Sequence, residues 1–193
     1  KEIFNFCTLD LSSFYFDIRK DSLYCDELNS KKRKDCIVVL NVILECLLKW
    51  FAPIFVFTTE EIFSLVNKNE ISIHETLFPV IPQNWADDTL KKKWENLYHI
   101  KQEVNIAIEE KRTNKEIGSS LEADILIHVN EKEYNLLKDV DLEEYFITSK
   151  AKKIKDENNK FKITVKKASG TKCTRCWKIL ENKCSRCEEA MNK

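Results

Sequence analysis

The sequence predicts a mainly α protein: an antiparallel helix bundle, then a small α+β unit, then a C-terminal four-cysteine module. Three observations predict it. Only two Gly and three Pro punctuate 193 residues, so few positions force the chain out of helix. Long segments up to about residue 112 carry apolar residues at helical spacing. After Ile117-Gly118 the texture changes to alternating, strand-like runs, and KCTRCWKILENKCSRC, Lys172 to Cys187, holds two C-x-x-C pairs. The expected boundaries are 1–115, 116–168 and 169–193.

Residues 2–25 read as one aromatic-rich helix, with Leu11, Phe14, Tyr15 and Ile18 on a single stripe. Asn29 and Ser30 make a turn or cap before the basic run Lys31 to Lys34. Asp35 to Trp50 is apolar almost all round. Its exceptions, Asn41, Glu45 and Lys49, share one narrow face, the pattern of a helix at the centre of a bundle. Pro53 interrupts it. Thr58-x-x-Glu61 has capping-box form and predicts a helix from Thr58 to about Asn67. Ser72 to Trp85 carries Pro79 and Pro82 without helical period, and reads as an ordered loop. Asp88 to Arg112 is a long amphipathic helix whose stripe, Leu90, Trp94, Leu97, Val104 and Ile108, is broken by Lys101. Four such helices suggest the bundle. Beyond them, Ala123–Val129, Tyr145–Ser149 and Phe161–Lys166 read as strands and Glu131–Leu137 as a short helix.

The chain is 43% hydrophobic and 33% charged, with no net charge. That zero hides a split: residues 1–149 sum to −9 and residues 150–193 to +9. A basic terminal module suits a polyanion, and it equally suits neutralisation of its own acidic domain. The richest apolar run, Cys36 to Phe57, is broken by Glu45, Lys49 and Pro53, so no membrane span is expected. The N-terminus shows no signal-peptide pattern and no initiator Met, which predicts a fragment of a cytoplasmic protein. Cys7, Cys25, Cys36 and Cys46 lie singly in apolar segments, where Cys acts as a small hydrophobe. Only the last four cluster, which fits a reducing compartment and one metal site.

The cluster reads Cys173-x2-Cys176-x7-Cys184-x2-Cys187. Each C-x-x-C turn aims two sulfurs at one cation, and two turns make a tetrahedral S4 set suited to one Zn2+. Four protein ligands leave no open position, so the zinc is expected to be structural. A redox pair needs one C-x-x-C at a helix N-terminus in a thioredoxin-like setting, which this tail lacks. Arg175, Trp177 and Arg186 stand among the ligands with Lys172, Lys178 and Lys183. Guanidinium and ring together suit single-stranded RNA. Alternatively, Trp177 packs over the knuckle and the cations offset thiolate charge.

Five stretches match one family in order: LSSFYFDIRKDSLYCD (Leu11 to Asp26), FAPIFVFTTEEIF (Phe51 to Phe63), IHETLFP (Ile73 to Pro79), EIGSSLEADI (Glu116 to Ile125) and the terminal C-x-x-C-W…C-x-x-C. The chain thereby resembles the C-terminal third of bacterial-type isoleucyl-tRNA synthetases. The family's HIGH and KMSKS signatures and its editing domain are absent from this sequence.

The resemblance implies a helical anticodon-binding domain, a junction domain and a zinc finger, facing the anticodon stem-loop of tRNA-Ile. Isoleucine activation with ATP and transfer to tRNA would belong to the remainder of the synthetase chain, leaving this chain alone inactive and monomeric. Matching positions nominate Arg33, Arg112 and Lys115 for tRNA contact, beside Arg175, Trp177 and Arg186 of the cysteine module. Two departures stand out. Ser22 occupies a position where the family often has a basic residue, and Phe63 one where Trp is common. The competing reading is a free-standing zinc-ribbon adaptor for protein or DNA. No catalytic constellation supports an independent enzyme.

Overall fold

The computed structural model describes residues 1–68, 71–156 and 160–191. It is mainly helical, with a small sheet and the cysteine cluster at the C-terminal end. Contacts divide the chain into two compact units, Lys1–Leu28 with Asp88–Lys193, and Asn29–Asp87. This cut differs from the expected 1–115, 116–168 and 169–193.

The first unit opens on a continuous helical run: α1 (Glu2–Asn5), a π-helical stretch (Phe6–Phe16) and α2 (Asp17–Cys25). Leu11 and Ile18 of the expected stripe are buried, with Phe14 and Tyr15 half-buried. The run is joined in this unit by the long α5 (Asp88–Thr113). Its buried residues are Leu97, Ile100, Val104 and Ile108, and Lys101 with them; Leu90 is exposed and Trp94 is at the margin. That stripe faces a sheet. Strands β1 (Ala123–Val129), β2 (Lys150–Lys155) and β3 (Lys162–Lys167) lie in the order β2-β1-β3, with β2 parallel and β3 antiparallel to β1. On β1, Ala123, Ile125, Ile127 and Val129 are wholly buried against α5, giving the strict period-2 pattern the sequence predicts.

Between β1 and β2 run two short helices, α6 (Glu131–Leu136) and α7 (Leu142–Phe146). Asn130 and Glu133 form a true capping box on α6. The expected strand at Tyr145–Ser149 is not one. Asp141 accepts the Glu144 N–H and starts α7, Ile147 turns left-handed at φ 56, and the strand begins only at Lys150. The apolar residues of this stretch fill the core, while the real strand is lysine-rich and weakly apolar. Phe14 meets the rings of Trp94, Tyr98 and Tyr145 edge-on, at 6.3, 6.2 and 6.1 Å.

The second unit is α3 (Lys31–Phe51), α4 (Val56–Val66) and the turns of Ile73–Glu75 and Gln83–Trp85. Ser30 caps α3 by accepting the Arg33 N–H, so the basic run lies inside the helix. Its core is Leu48, Ala52, Phe63 and Ile73. Phe63, at the position where Trp is common, fills that core. Two expectations fail here. Helix α4 starts at Val56, so Thr58 and Glu61 form no capping box; Thr59 instead donates to the Phe55 carbonyl at 2.9 Å. Helix α3 is not buried all round, for Val38 is 61% exposed.

Lys101 is the anomaly of the core. It is 6% exposed, donates to the Tyr145 carbonyl oxygen, and stands 5.0 Å from that ring's centroid. Burial pushes its ammonium down to about 8 from 10.5, opposed by the Asp17 charge. A lowered lysine value penalises folding below pH 8, where both states are charged, and the penalty lifts as pH rises towards 10.5. Lys101→Met keeps the stem and removes the charge. In urea unfolding, wild type should therefore gain stability relative to Lys101→Met between pH 8 and 10.5. A constant difference across that range would refute the assignment.

Candidate metal centre

The cysteine module is a two-stranded hairpin, β4 (Thr171–Lys172) and β5 (Ile179–Leu180), followed by α8 (Ser185–Met191). The first C-x-x-C bridges the hairpin, and there the Cys173 N–H donates to the Lys178 carbonyl at 2.9 Å. Trp177 turns the chain back with φ 64, a left-handed conformation that costs a bulky residue on the order of 1 kcal/mol. The hairpin also needs Gly170. Its φ is 126, and a Cβ there would meet the Leu180 carbonyl oxygen at 2.1 Å. The second C-x-x-C opens α8, with the Cys184 carbonyl accepting the Glu188 N–H.

The four sulfurs of Cys173, Cys176, Cys184 and Cys187 lie within 4.8 Å of one another and could hold a metal ion. A tetrahedral Zn2+ site with bonds of about 2.3 Å has sulfur–sulfur edges of ~3.8 Å. The Cys176–Cys184 separation is 3.9 Å, so the donor set fits. Burial opposes ionisation of Cys173, but the Cys176 and Arg175 backbone amides outweigh it and bring the thiol down to about 7.

Each knuckle sends an arginine to α2. Arg175 donates to the Cys25 carbonyl at 2.7 Å and the Tyr24 carbonyl at 3.0 Å. These are last-turn carbonyls with no helical partner, so the finger caps the helix. Arg186 grips Asp21 through both terminal nitrogens, at 2.5 and 2.8 Å, and reaches Asp26 at 3.2 Å. Burial pushes the Asp21 carboxyl up, but the hydrogen bond and charge of Arg186 outweigh it and hold the carboxyl below its usual range. The Cys25 thiol donates to the Arg175 carbonyl, and burial pushes it up to about 11. Lys178 pairs with Glu143 at 3.2 Å, and the Ile179 N–H donates to the wholly buried Ser149 at 2.6 Å. The finger is therefore docked on α2 and α7. Asp21 and Asp26 read in sequence as helix-surface and cap residues; only the +9 tail hinted that they would meet a cation.

The remaining candidates lie apart. Trp177 is 58% exposed, with Lys172 Nζ 5.7 Å from its ring. It overhangs a cleft of about 420 Å3 formed with Ile18, Tyr24, Ile147 and Lys178. Arg112 and Lys115 line one polar notch with Lys167; Arg112 pairs with Glu109, and Lys115 is left-handed at φ 58. Arg33 belongs to the other compact unit, its Nε buried and without a hydrogen bond among the described residues. Ser22 is 1% exposed and donates to Glu144 at 2.6 Å, so the position has no room for a long basic side chain.

The family described as the anticodon-binding domain of tRNA ligase matches residues 1–127. The chain belongs to this family. Isoleucine–tRNA ligase of Pelagibacter ubique is 54% identical over 186 residues, 96% of this chain and 21% of its own length. The Bradyrhizobium diazoefficiens enzyme of the same name is 41% identical over 90% of the chain and 19% of its length. That of Brachyspira hyodysenteriae is 34% identical over 99% and 23%. The chain thus spans about a fifth of the length of the curated relatives it matches. The family match stops at residue 127, while the relatives' identity extends over nearly the whole chain, which makes the finger part of the shared sequence.

Arg186→Ala should leave Asp21 and Asp26 without their cation. The side chains are only partly buried, so the expected loss is on the order of 1–2 kcal/mol at neutral pH, below that of a fully buried pair. A lowered carboxyl contributes stability above its unfolded value of 3.8 and loses it as pH falls through the native value. Urea unfolding of the two proteins should begin to converge only as pH falls below 3.8. A difference that persists in acid would sink the ion-pair account.

Proposed function

We propose that this chain is the anticodon-reading C-terminal region of an isoleucine–tRNA ligase, binding the anticodon stem-loop of tRNA-Ile. The observation that carries the reading is the anticodon-binding family match over 1–127 in a chain whose relatives bear that ligase's name. In this reading residues 1–115 act as the helical anticodon-binding domain, 116–168 as the junction and 169–193 as the finger. The helical part is read as an antiparallel bundle, which the mainly helical content supports. One structural Zn2+, held by Cys173, Cys176, Cys184 and Cys187, keeps the finger folded; the 3.9 Å sulfur edge supports it.

Charging of tRNA-Ile with ATP and isoleucine belongs to the remainder of the synthetase, a cytoplasmic enzyme acting as a monomer. Among the described residues no helix is long and apolar enough to cross a membrane. Arg33, Arg112, Lys115 and Trp177 are the side chains offered to RNA. Trp177 is the one aromatic of the finger, and its exposure supports stacking on an unpaired base. Arg175 and Arg186 act indirectly, by holding the finger against α2. The adaptor alternative accounts for the finger alone and leaves the family match over 1–127 unexplained.

The test combines metal content with RNA binding. Wild-type chain should carry one zinc and bind tRNA-Ile more tightly than tRNA-Ile with an altered anticodon. Cys184→Ser should lose the zinc and bind at least tenfold more weakly. Equal affinity for both RNAs would refute anticodon reading, and a zinc-free mutant with full affinity would refute the finger's part in it.

A further inference from the structure

The sheet has a second face. Strand register places Asp124 between Lys150 and Lys166, and Leu126 between Lys152 and Thr164. His128 lies between Ile154 and Lys162. Side chains alternate across a strand, so these positions oppose the buried Ala123, Ile125, Ile127 and Val129. Strands β2 and β3 are the two edges, and together they contain seven lysines and no acidic residue. Lys152, Lys162 and Lys166 are exposed and make no ion pair among the described residues. Lys150 is already paired with Glu181, and His128 stands 4.0 Å from Asp156.

Lysines on edge strands also block edge-to-edge pairing, and solubility is served by mixed charge. Neither role calls for a single sign on both edges in a chain with equal numbers of acids and bases. With strands about 4.8 Å apart, the two lysine columns stand roughly 10 Å apart across β1. The strip between them is β1's half-buried Asp124, Leu126 and His128, with Ile154 and Thr164 standing within the columns. A polyanion laid along β1 would meet cations on both sides; the carboxylates on this face lie towards its ends, Asp124 and the Lys150-paired Glu181 at one and Asp156 beside His128 at the other.

We propose that this face is an RNA-backbone interface, with Lys152, Lys162 and Lys166 holding phosphates independently of sequence. The proposal rests on the reading of the chain as tRNA-binding and adds a surface that the anticodon loop itself does not require. Phosphate contacts of this kind set affinity and salt dependence, while discrimination resides elsewhere.

The experiment compares wild type with the triple variant Lys152→Gln, Lys162→Gln, Lys166→Gln and with the charge-keeping triple Lys→Arg. Circular dichroism and zinc content establish that all three fold alike. Binding is measured over a salt series for tRNA-Ile, tRNA-Ile with an altered anticodon, and an unrelated RNA hairpin. The Gln variant should bind every RNA at least tenfold more weakly at low salt. Its log–log salt slope should be shallower by about 2, as expected for three lost phosphate contacts. Its preference between the two anticodons should be unchanged, and the Arg variant should bind like wild type. Unaltered affinity and slope would overturn the proposal. So would lysine-dependent binding of polyglutamate with RNA affinity unaltered, which would mark the face as a dock for acidic protein. If wild type shows no anticodon preference while the Gln variant still weakens every RNA, the sheet interface stands and the anticodon reading falls.

Discussion

Two guanidinium groups tie the end of the chain to its beginning. Arg175 and Arg186 each sit inside a C-x-x-C knuckle, and each reaches the last turn of α2 or the carboxylates flanking it. A knuckle fixed by a metal is a rigid mount, so the ordering entropy of the arginine stem is small and its fork meets α2 at a set angle. The dependence also runs the other way. α2 ends at Cys25 with open carbonyls, and the finger supplies their donors. If the four thiols hold the proposed metal, its loss would uncap a helix 150 residues away in sequence, and with it disturb the cleft that Trp177 lines.

The zero net charge follows the same logic. An acidic first part and a basic tail could mean an external polyanion or internal neutralisation, and the structure pairs some of the tail's cations within the chain while leaving others in solvent. Arg186, Lys178 and Lys150 are absorbed by Asp21, Asp26, Glu143 and Glu181. Lys152, Lys162 and Lys166 stay in solvent. Net charge could not reveal this division, because it depends on which residues fold against which.

What was legible in the sequence was what local pattern determines. The alternation of ADILIHV gave β1 to the residue, and the matched C-x-x-C pairs gave the cluster. The stripe of α5 was also correct at Leu97, Val104 and Ile108. Its partner was not: periodicity states that a face is buried, never whether a helix or a sheet covers it. Lys101 looked like a break in that stripe and is instead part of it, because its stem packs as a hydrophobe while its ammonium finds the Tyr145 carbonyl. The same limit explains Thr58-x-x-Glu61 and Asn130-x-x-Glu133. Both have the capping form, but only the second follows a chain that arrives extended, whereas α4 is already under way at Val56. Strand β2 was missed because four of its six residues are lysines, and an edge strand needs little apolar content.

Arginine and lysine are used for different work in this chain, and the difference is physical. The guanidinium is planar and weakly hydrated, so it is suited to a partly buried, two-pronged contact such as Arg186 with Asp21. Lysine keeps a compact, strongly hydrated charge on a flexible stem, which suits loose phosphate contact at a surface. The arginines of the finger have partners within the chain, the Tyr24 and Cys25 carbonyls and the Asp21 and Asp26 carboxylates, which their residue type alone did not reveal. Lys152, Lys162 and Lys166 of β2 and β3, ordinary as a sequence, are cations the fold leaves in solvent. A residue's chemistry limits what it can bind, and the fold then decides which of those partners it has already met.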